Sequence, residues 1–280
     1  MHQPEISVIM SVFKETETGI RVAVSSILEQ TFRNFELIIV NDNPESEEAG
    51  RILEKIAKED ERIRITTNDR NRALGYSLNV AVRAAQADII ARMDTEDTSV
   101  EERLEKQYAY MRAHPSVDLL FAQWIDVDEK GAETPRLPSA KDAERLKKTF
   151  FTKSLLMHPT LMARKEVLLK NPYPEMGRPE DIVLWLKLIR ESYTFDLLEE
   201  PLYKYRADRL DMNRRFIKTK KGAENVLPHL IRESRYYWHN IYFWLYFLRT
   251  LGEYLVSRNK FIFNLVYIRA IRTWKSVFGV

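Results

Sequence analysis

The feature that most constrains this chain is the regular alternation of short apolar runs with amphipathic stretches over its first 114 residues. Ile6 to Met10 is apolar, and Ile20 to Gln30 then carries hydrophobic residues at helical spacing. Phe35 to Val40 is a second strand-like run, followed by a helical pattern from Glu47 to Lys58. A weaker strand at Arg62 to Thr66 precedes a helix predicted over Ala73 to Ala85, and Asp88 to Met93 reads as a fourth strand. Ser99 with Glu102 three residues on has the pattern of a capping box opening a helix that runs to His114. Such alternation predicts an α/β fold, with a mostly parallel sheet and helices on both faces.

That prediction places the functional residues. Ligands of open α/β sheets gather beyond the carboxyl ends of the strands. The four segments that follow the strands are Ser11 to Glu15, Asn41 to Asn43, Asn68 to Asn71 and Asp94 to Asp97, all polar or rich in small residues. The last holds three carboxylates in four residues, Asp94, Glu96 and Asp97. They repel one another unless a cation or other partner sits among them. Hard cations such as Mg2+ or Mn2+ prefer oxygen ligands and often bridge to phosphates. A solvated loop that favours the next helix N-terminus would carry the same acids, and on local grounds the two readings stand level.

The second half is more mixed. Val117 to Val127 reads as a long strand or a strand pair, and Ser139 to Lys148 as a helix. Pro179, Glu180 and Asp181 open a helix through Ile189; Phe195 to Leu198 and Leu202 to Tyr205 look strand-like. From about Asn213 the chain turns helical and aromatic. Two domains are expected: a catalytic body over 1–210 and a helical, aromatic and basic extension over 211–280.

Composition excludes several chemistries. Of the 280 residues 45% are hydrophobic, enough for a sizeable core, and none is cysteine. Disulfides, zinc–thiolate sites and a cysteine nucleophile are thereby excluded. No basic segment followed by an apolar one precedes Ile6, so a secretory signal is not expected and a cytoplasmic location is. The net charge of +3 is uneven: residues 201–280 hold a balance of +11, which leaves −8 for the rest. A basic tail on an acidic body suits an anionic partner, a lipid surface or nucleic acid. Tyr236 to Leu248 is aromatic and uncharged but too short to span a bilayer, and Phe261 to Ile268 is a second apolar run. Arg232, Arg235, Arg249, Arg258, Lys260, Arg269 and Arg272 flank the two, a pattern suited to a membrane headgroup layer or to a helical pair packed on the body or on another subunit.

Taken together, Ile6 to Glu15, Ser26 to Asp42, Asn71 to Gly75, Ala91 to Asp97, Met157 to Met162 and Glu180 to Trp185 occur in an order that resembles the family 2 glycosyltransferases of the GT-A fold. The resemblance runs from Ile6 to Arg206. It implies that Asp42 contacts the nucleotide base, that Val12, Phe13 and Glu15 line the nucleoside pocket, and that Asn71 and Gly75 approach base and phosphates. It implies that Asp94 and Glu96 stand for the D-x-D pair that holds ribose and metal, with Asp97 beside them. Glu96 departs from the usual aspartate, and Asp97 could take over coordination. Asp181 matches the catalytic base, with Glu180 beside it and His158 facing the acceptor or packed beneath the sheet edge. Where many relatives carry a histidine metal ligand two residues past Arg206, this chain has Asp208, which could still ligate Mg2+ or Mn2+.

The function this implies is inverting transfer of a single sugar from a nucleotide-diphosphate sugar, a UDP-sugar foremost, with Mn2+ or Mg2+. The acceptor is a hydroxyl of a saccharide or lipid-linked molecule of the cell envelope, with possible membrane-surface contact or homo-oligomer formation through the tail. The Gln-x-x-Arg-Trp motif of processive synthases is absent, which favours single addition. Two other classes are weighed. A metal-dependent nucleotidyltransferase is disfavoured because no glycine-rich phosphate loop follows the first strand. A nucleic-acid-binding module built on the basic tail is disfavoured by the continuous apolar runs and the acidic body.

Overall fold

The computed structural model describes residues 3–128, 130–136, 156–206 and 212–258. Strand β1 (Ile6–Val12) lies at the centre of the first half, between β2 (Phe35–Asn41) and β4 (Ile89–Arg92), with β3 (Ile63–Thr67) beyond β2; all these pairings are parallel. The strands connect through α1 (Glu17–Leu28), α2 (Glu47–Ala57) and α3 (Ala73–Ala84). Thr16 and Ser46 cap the first two helices by accepting from Gly19 N and Ala49 N, each at 3.2 Å.

Side-chain parity divides the core into two layers, since successive residues of a strand face opposite sides. Ile6, Val8, Met10 and Val12 pack with Leu37, Ile39, Ala91, α1, α2 and α4 (Arg103–Ala113). Ile9, Ile38, Val40 and Ile90 pack on the opposite side with α3, α5 (Lys165–Lys170) and α6 (Glu180–Arg190). Helices thus cover both faces, as the alternation predicts.

The parallel expectation holds for the first four strands and gives way beyond β4. There β8 (Met162–Arg164) runs antiparallel to both β4 and β6 (Leu119–Val127). The sheet continues through β9 (Phe195–Arg206), parallel to β6, to β5 (Thr98–Ser99), which is antiparallel to β9; β7 (Glu133–Arg136) pairs with β6. The result is a mixed sheet. The two strand-like runs expected at 195–198 and 202–205 are one strand, whose register against β6 shifts near Gln123 and Pro201. The capping box expected at Ser99 is absent. Ser99 belongs to β5, its hydroxyl accepts from Arg103 Nη1 at 3.0 Å, and α4 begins only at Arg103. The helix expected at Ser139 to Lys148, the apolar run at Phe261 to Ile268 and Asp208 lie outside the described residues, as does much of the basic count of the tail.

The C-terminal extension begins as two helices, α7 (Met212–Glu233) and α8 (Ile241–Val256). They dock on α6 through Val183, Leu186, Val226, Leu230, Tyr237 and Phe243. Tyr237 donates to the Leu186 carbonyl at 2.8 Å, and Arg190 reaches both oxygens of the buried Glu233 at 2.6 and 2.7 Å. Among the described residues no helix is long and apolar enough to cross a membrane.

Candidate active site

The carboxyl ends of β1, β2 and β4 open into a cavity of about 990 Å³. Its walls include Phe13, Glu15, Asp42, Asn71, Asp94, Glu96, Asp97, His158, Glu180 and Asp181, so the structure gathers ten of the residues expected from sequence around one space. Helix α7 closes part of the wall with Gly222, and Asn225 Nδ2 donates to the Arg178 carbonyl at 2.7 Å.

Each wall is set by local hydrogen bonds. Asp42 is buried at the end of β2, where its backbone N–H reaches the Val12 carbonyl at 2.7 Å. Its Oδ1 accepts from Asn68 Nδ2 at 2.7 Å and from Arg72 N at 2.8 Å. Glu15 folds back to accept from Phe13 N at 2.6 Å and Lys14 N at 3.1 Å, which shapes the loop after β1. Two residues expected at the nucleoside pocket do not line the cavity. The Val12 side chain lies in the core, 1% exposed, because strand parity turns it inward. Gly75 faces the neighbouring chain instead: a Cβ there would stand 2.4 Å from the Pro174 carbonyl oxygen. Its missing side chain lets α3 approach the 173–174 backbone, where Asn79 and Tyr173 exchange hydrogen bonds of 2.8 and 2.9 Å.

The acidic loop is held from three sides. Asp94 pairs with Arg92, and its N–H donates to the Tyr203 oxygen at 3.3 Å. Tyr203 O–H donates to Asp97 Oδ2 at 2.9 Å, and Arg206 N donates to Oδ1 at 2.8 Å. Both oxygens of Asp97 are therefore engaged by β9. Burial, followed by the charge of Asp94, pushes the Asp97 carboxyl up to about 7. Glu96 adopts φ 69° and lies over Gly19, with its N–H donating to the Gly19 carbonyl at 3.2 Å. Ala73, also at the cavity, has φ 65°. Left-handed backbone at non-glycine residues costs about 1–3 kcal/mol and clusters at functional sites.

A divalent cation fits these residues in a limited way. Asp94 and Glu96 keep carboxylate oxygens for it, whereas Asp97, expected to take over coordination, has both oxygens occupied by β9. Among the described residues no three acidic or histidine side chains converge into a metal cage. One or two carboxylates plus substrate phosphates is the usual way Mg2+ is held, without an all-protein cage.

At the same cavity, Glu180 and Asp181 form the first turn of α6, after Pro179. Burial foremost raises both carboxyls, and the Asp181 charge adds to the rise of Glu180. His158 is 6% exposed, its Nε2 lies 3.0 Å from Tyr173 Oη, and its ring meets Trp185 edge-on at 5.7 Å. Burial and then the charges of Arg92 and Arg178 push it well below the ordinary histidine range, so the ring is neutral. It packs beneath the sheet edge and lines the cavity at once. Sequence reasoning missed Arg92, Arg178, Tyr205 and Arg206 on the wall, and Tyr203 behind it.

With this geometry in hand, the comparisons decide the family. The model described as Glycosyl transferase family 2 matches residues 7–171, more than half of the chain. The chain belongs to that family. It is 34% identical over 258 residues to an uncharacterised glycosyltransferase of Methanocaldococcus jannaschii, covering 91% of this chain and 89% of that one. It is also 34% identical over 204 residues to the O-antigen biosynthesis glycosyltransferase WbnJ of Escherichia coli, covering 72% and 79%. Among solved structures, the mannosyltransferase PcManGT of Pyrobaculum calidifontis in complex with GDP-Man and Mn2+ aligns with TM-score 0.65 at 15% identity, covering 99% of this chain and 85% of that one. Staphylococcus aureus TarS 1–349 in complex with UDP-GlcNAc aligns with TM-score 0.61 at 17% identity, covering 93% and 83%. The chain spans 40% of a longer TarS structure. The transferase thus shares the GT-A-like fold with both, and the nucleotidyltransferase and nucleic-acid-module readings are set aside.

Gly75→Ala tests the packing account of α3. Alanine favours a helix by about 1 kcal/mol, but crowding against backbone costs about 1–3 kcal/mol. Urea unfolding is expected to show a net loss of stability. A gain in stability with weaker nucleotide binding would return Gly75 to the ligand.

Proposed function

We propose that the transferase moves one sugar from a nucleoside-diphosphate donor, UDP-linked in the leading case, to an acceptor hydroxyl with inversion. The observation that carries this reading is that Asp42, Asp94 and Asp181 all line a single cavity. Asp42 keeps an oxygen for the base edge while Asn68 and Arg72 hold its partner oxygen. Phe13, Glu15 and Asn71 enclose the nucleoside, and Asp94 and Glu96 hold the diphosphate end together with Mn2+ or Mg2+. When bound there, the cation neutralises charge on the departing diphosphate.

Asp181 is the general base in this reading. The acceptor oxygen attacks the anomeric carbon, its proton passes to the Asp181 carboxylate, and the bond from that carbon to the diphosphate oxygen breaks. Displacement from the face opposite the leaving group inverts the anomeric centre. Burial raises the Asp181 carboxyl, which brings its proton affinity closer to the working pH, where a general base is most effective. Glu180 and the neutral His158 shape the acceptor side.

The acceptor is a saccharide or lipid-linked molecule of the cell envelope, a reading supported by the similarity to WbnJ. Exposed apolar residues on α8 and in the turn before it support peripheral membrane contact: Trp238 is 72%, Ile241 63%, Leu248 59% and Leu255 57% exposed. A cytoplasmic place on the inner face of the membrane, with 211–280 as the attaching unit, accords with it; homo-oligomer formation would use the same residues. Replacing Trp238 and Ile241 together by serine is expected to reduce flotation with anionic liposomes at least severalfold. Unchanged flotation removes this face from membrane contact, and a smaller particle by light scattering makes it an oligomer interface.

Chelation is expected to abolish transfer, and Mn2+ or Mg2+ to restore it; full turnover in a chelator would remove the cation from the mechanism. Asp181→Asn keeps the shape of the side chain but cannot take a proton. Turnover is expected to fall about a hundredfold or more, with nucleotide binding by calorimetry little changed. As a mere helix N-terminal charge, Asp181 would be worth at most about 1 kcal/mol. A variant that keeps more than about a third of wild-type turnover removes Asp181 as the base.

A further inference from the structure

Parity along β4 creates an unusual demand at Arg92. Ile89 and Ala91 face one core layer and Ile90 the other, so Arg92 follows Ile90 onto the side packed by α3, α5 and α6. A guanidinium there is 2% exposed, at a position that strand periodicity reserves for an apolar residue. Burying a cation is expensive unless it is paired and hydrogen-bonded, and Arg92 is only partly satisfied. Its Nη2 pairs with Asp94, while Nε and Nη1 are buried without a hydrogen-bond partner. At the same cavity, Glu180 Oε2 is also buried without a donor. His158, whose Nδ1 lies 3.8 Å from Glu180 Oε1, is held well below the ordinary histidine range by burial and offers no competing cation.

We propose that Arg92 is a positioning residue: its buried guanidinium is the counter-ion shared by Asp94 on the donor side and by Glu180 and Asp181 on the acceptor side. The unpaired donor atoms of Arg92 and the unpaired oxygen of Glu180 are then complementary remainders of one charge arrangement that links Asp94 to Glu180 and Asp181. The proposal rests on the reading of Asp181 as base. In support, the charge of Arg92 lowers the proton affinity of both Glu180 and Asp181 against the larger effect of burial. The groups acting with Asp181 are Arg92 from β4, Arg178 from the loop before α6, Glu180 from its own helix, Tyr173 ahead of that helix, and Tyr246 from α8. Of the two cations, Arg178 is exposed to solvent and screened, whereas Arg92 acts through a water-poor wall.

The test is the pH dependence of turnover in Arg92→Met and Arg92→Lys, with near-ultraviolet circular dichroism to establish that each is folded. Removing the cation raises the proton affinity of the base, so the acid limb of kcat/KM in Arg92→Met is expected to move up by about one pH unit or more. Arg92→Lys keeps the charge and loses the planar fork, so its limb stays at the wild-type pH while the donor KM rises severalfold. A folded Arg92→Met with an unmoved limb overturns the proposal. Should Arg92→Met not fold, Arg92→Lys decides: a raised donor KM with the wild-type limb supports the shared counter-ion, and an unchanged donor KM overturns it. Asp181→Asn separates this from the reading beneath it. If that variant stays active the base assignment fails, whereas a dead Asp181→Asn with an unmoved Arg92→Met limb overturns only the role of Arg92.

Discussion

Two arginines buried beneath an acidic sheet edge set the terms for the rest of this structure. Arg92 and Arg103 are 2% and 0% exposed, and a charge buried that deeply is costly unless it is paired. Arg103 donates to the Arg92 carbonyl at 2.8 Å, to Ser99 Oγ at 3.0 Å and to Gln107 Oε1 at 2.9 Å, which fastens the end of β4 to β5 and α4. Burial lowers Arg103 to about 10, and it keeps its proton at neutral pH. Arg92 in turn holds Asp94. From the other side, β9 holds Asp97 through the Tyr203 hydroxyl and the Arg206 N–H. The loop that repulsion would otherwise spread is fixed at both ends, with Asp94 and Glu96 left toward the cavity.

Burial of this kind explains which parts of the molecule were legible in the sequence. The run from Ile6 to Val12 and the run from Phe35 to Asn41 alternate between two apolar layers, and that local pattern led to the central strands, their helices and the placement of the cavity at their carboxyl ends. Ser99 carried an equally plain local signal, yet its hydroxyl serves Arg103 and its backbone pairs with Tyr203. A capping pattern says nothing of a strand 104 residues distant, so tertiary pairing won. The same non-locality hid the antiparallel β8, whose three residues carry no periodicity of their own.

The site divides along the same line. Asp42, Asp94, Glu180 and Asp181 stand out through motifs that resemble those of the family 2 glycosyltransferases, and all four line the cavity. Arg92 was passed over because an arginine beside an acidic loop looks like a solvated charge until the fold shows it beneath the loop. Motif position points Val12 and Gly75 toward the nucleoside, whereas parity buries the Val12 side chain and Gly75 lies against Pro174. Of the readings open for the extension, packing on the body accords with α7 reaching the cavity at Gly222 and α8 resting on α6. The cavity wall therefore includes a residue of the extension itself.

The central claim is that one carboxylate, Asp181, activates the acceptor for a single displacement across this cavity. The measurement that tests it most directly is the anomeric configuration of the first-formed product, read from one-bond carbon–proton coupling by NMR with whichever nucleoside-diphosphate sugar the enzyme turns over. A single displacement predicts a product whose anomeric configuration is opposite to that of the donor. Retention of the donor configuration would contradict the account, because it requires a second displacement or a same-face attack for which the proposed base has no part.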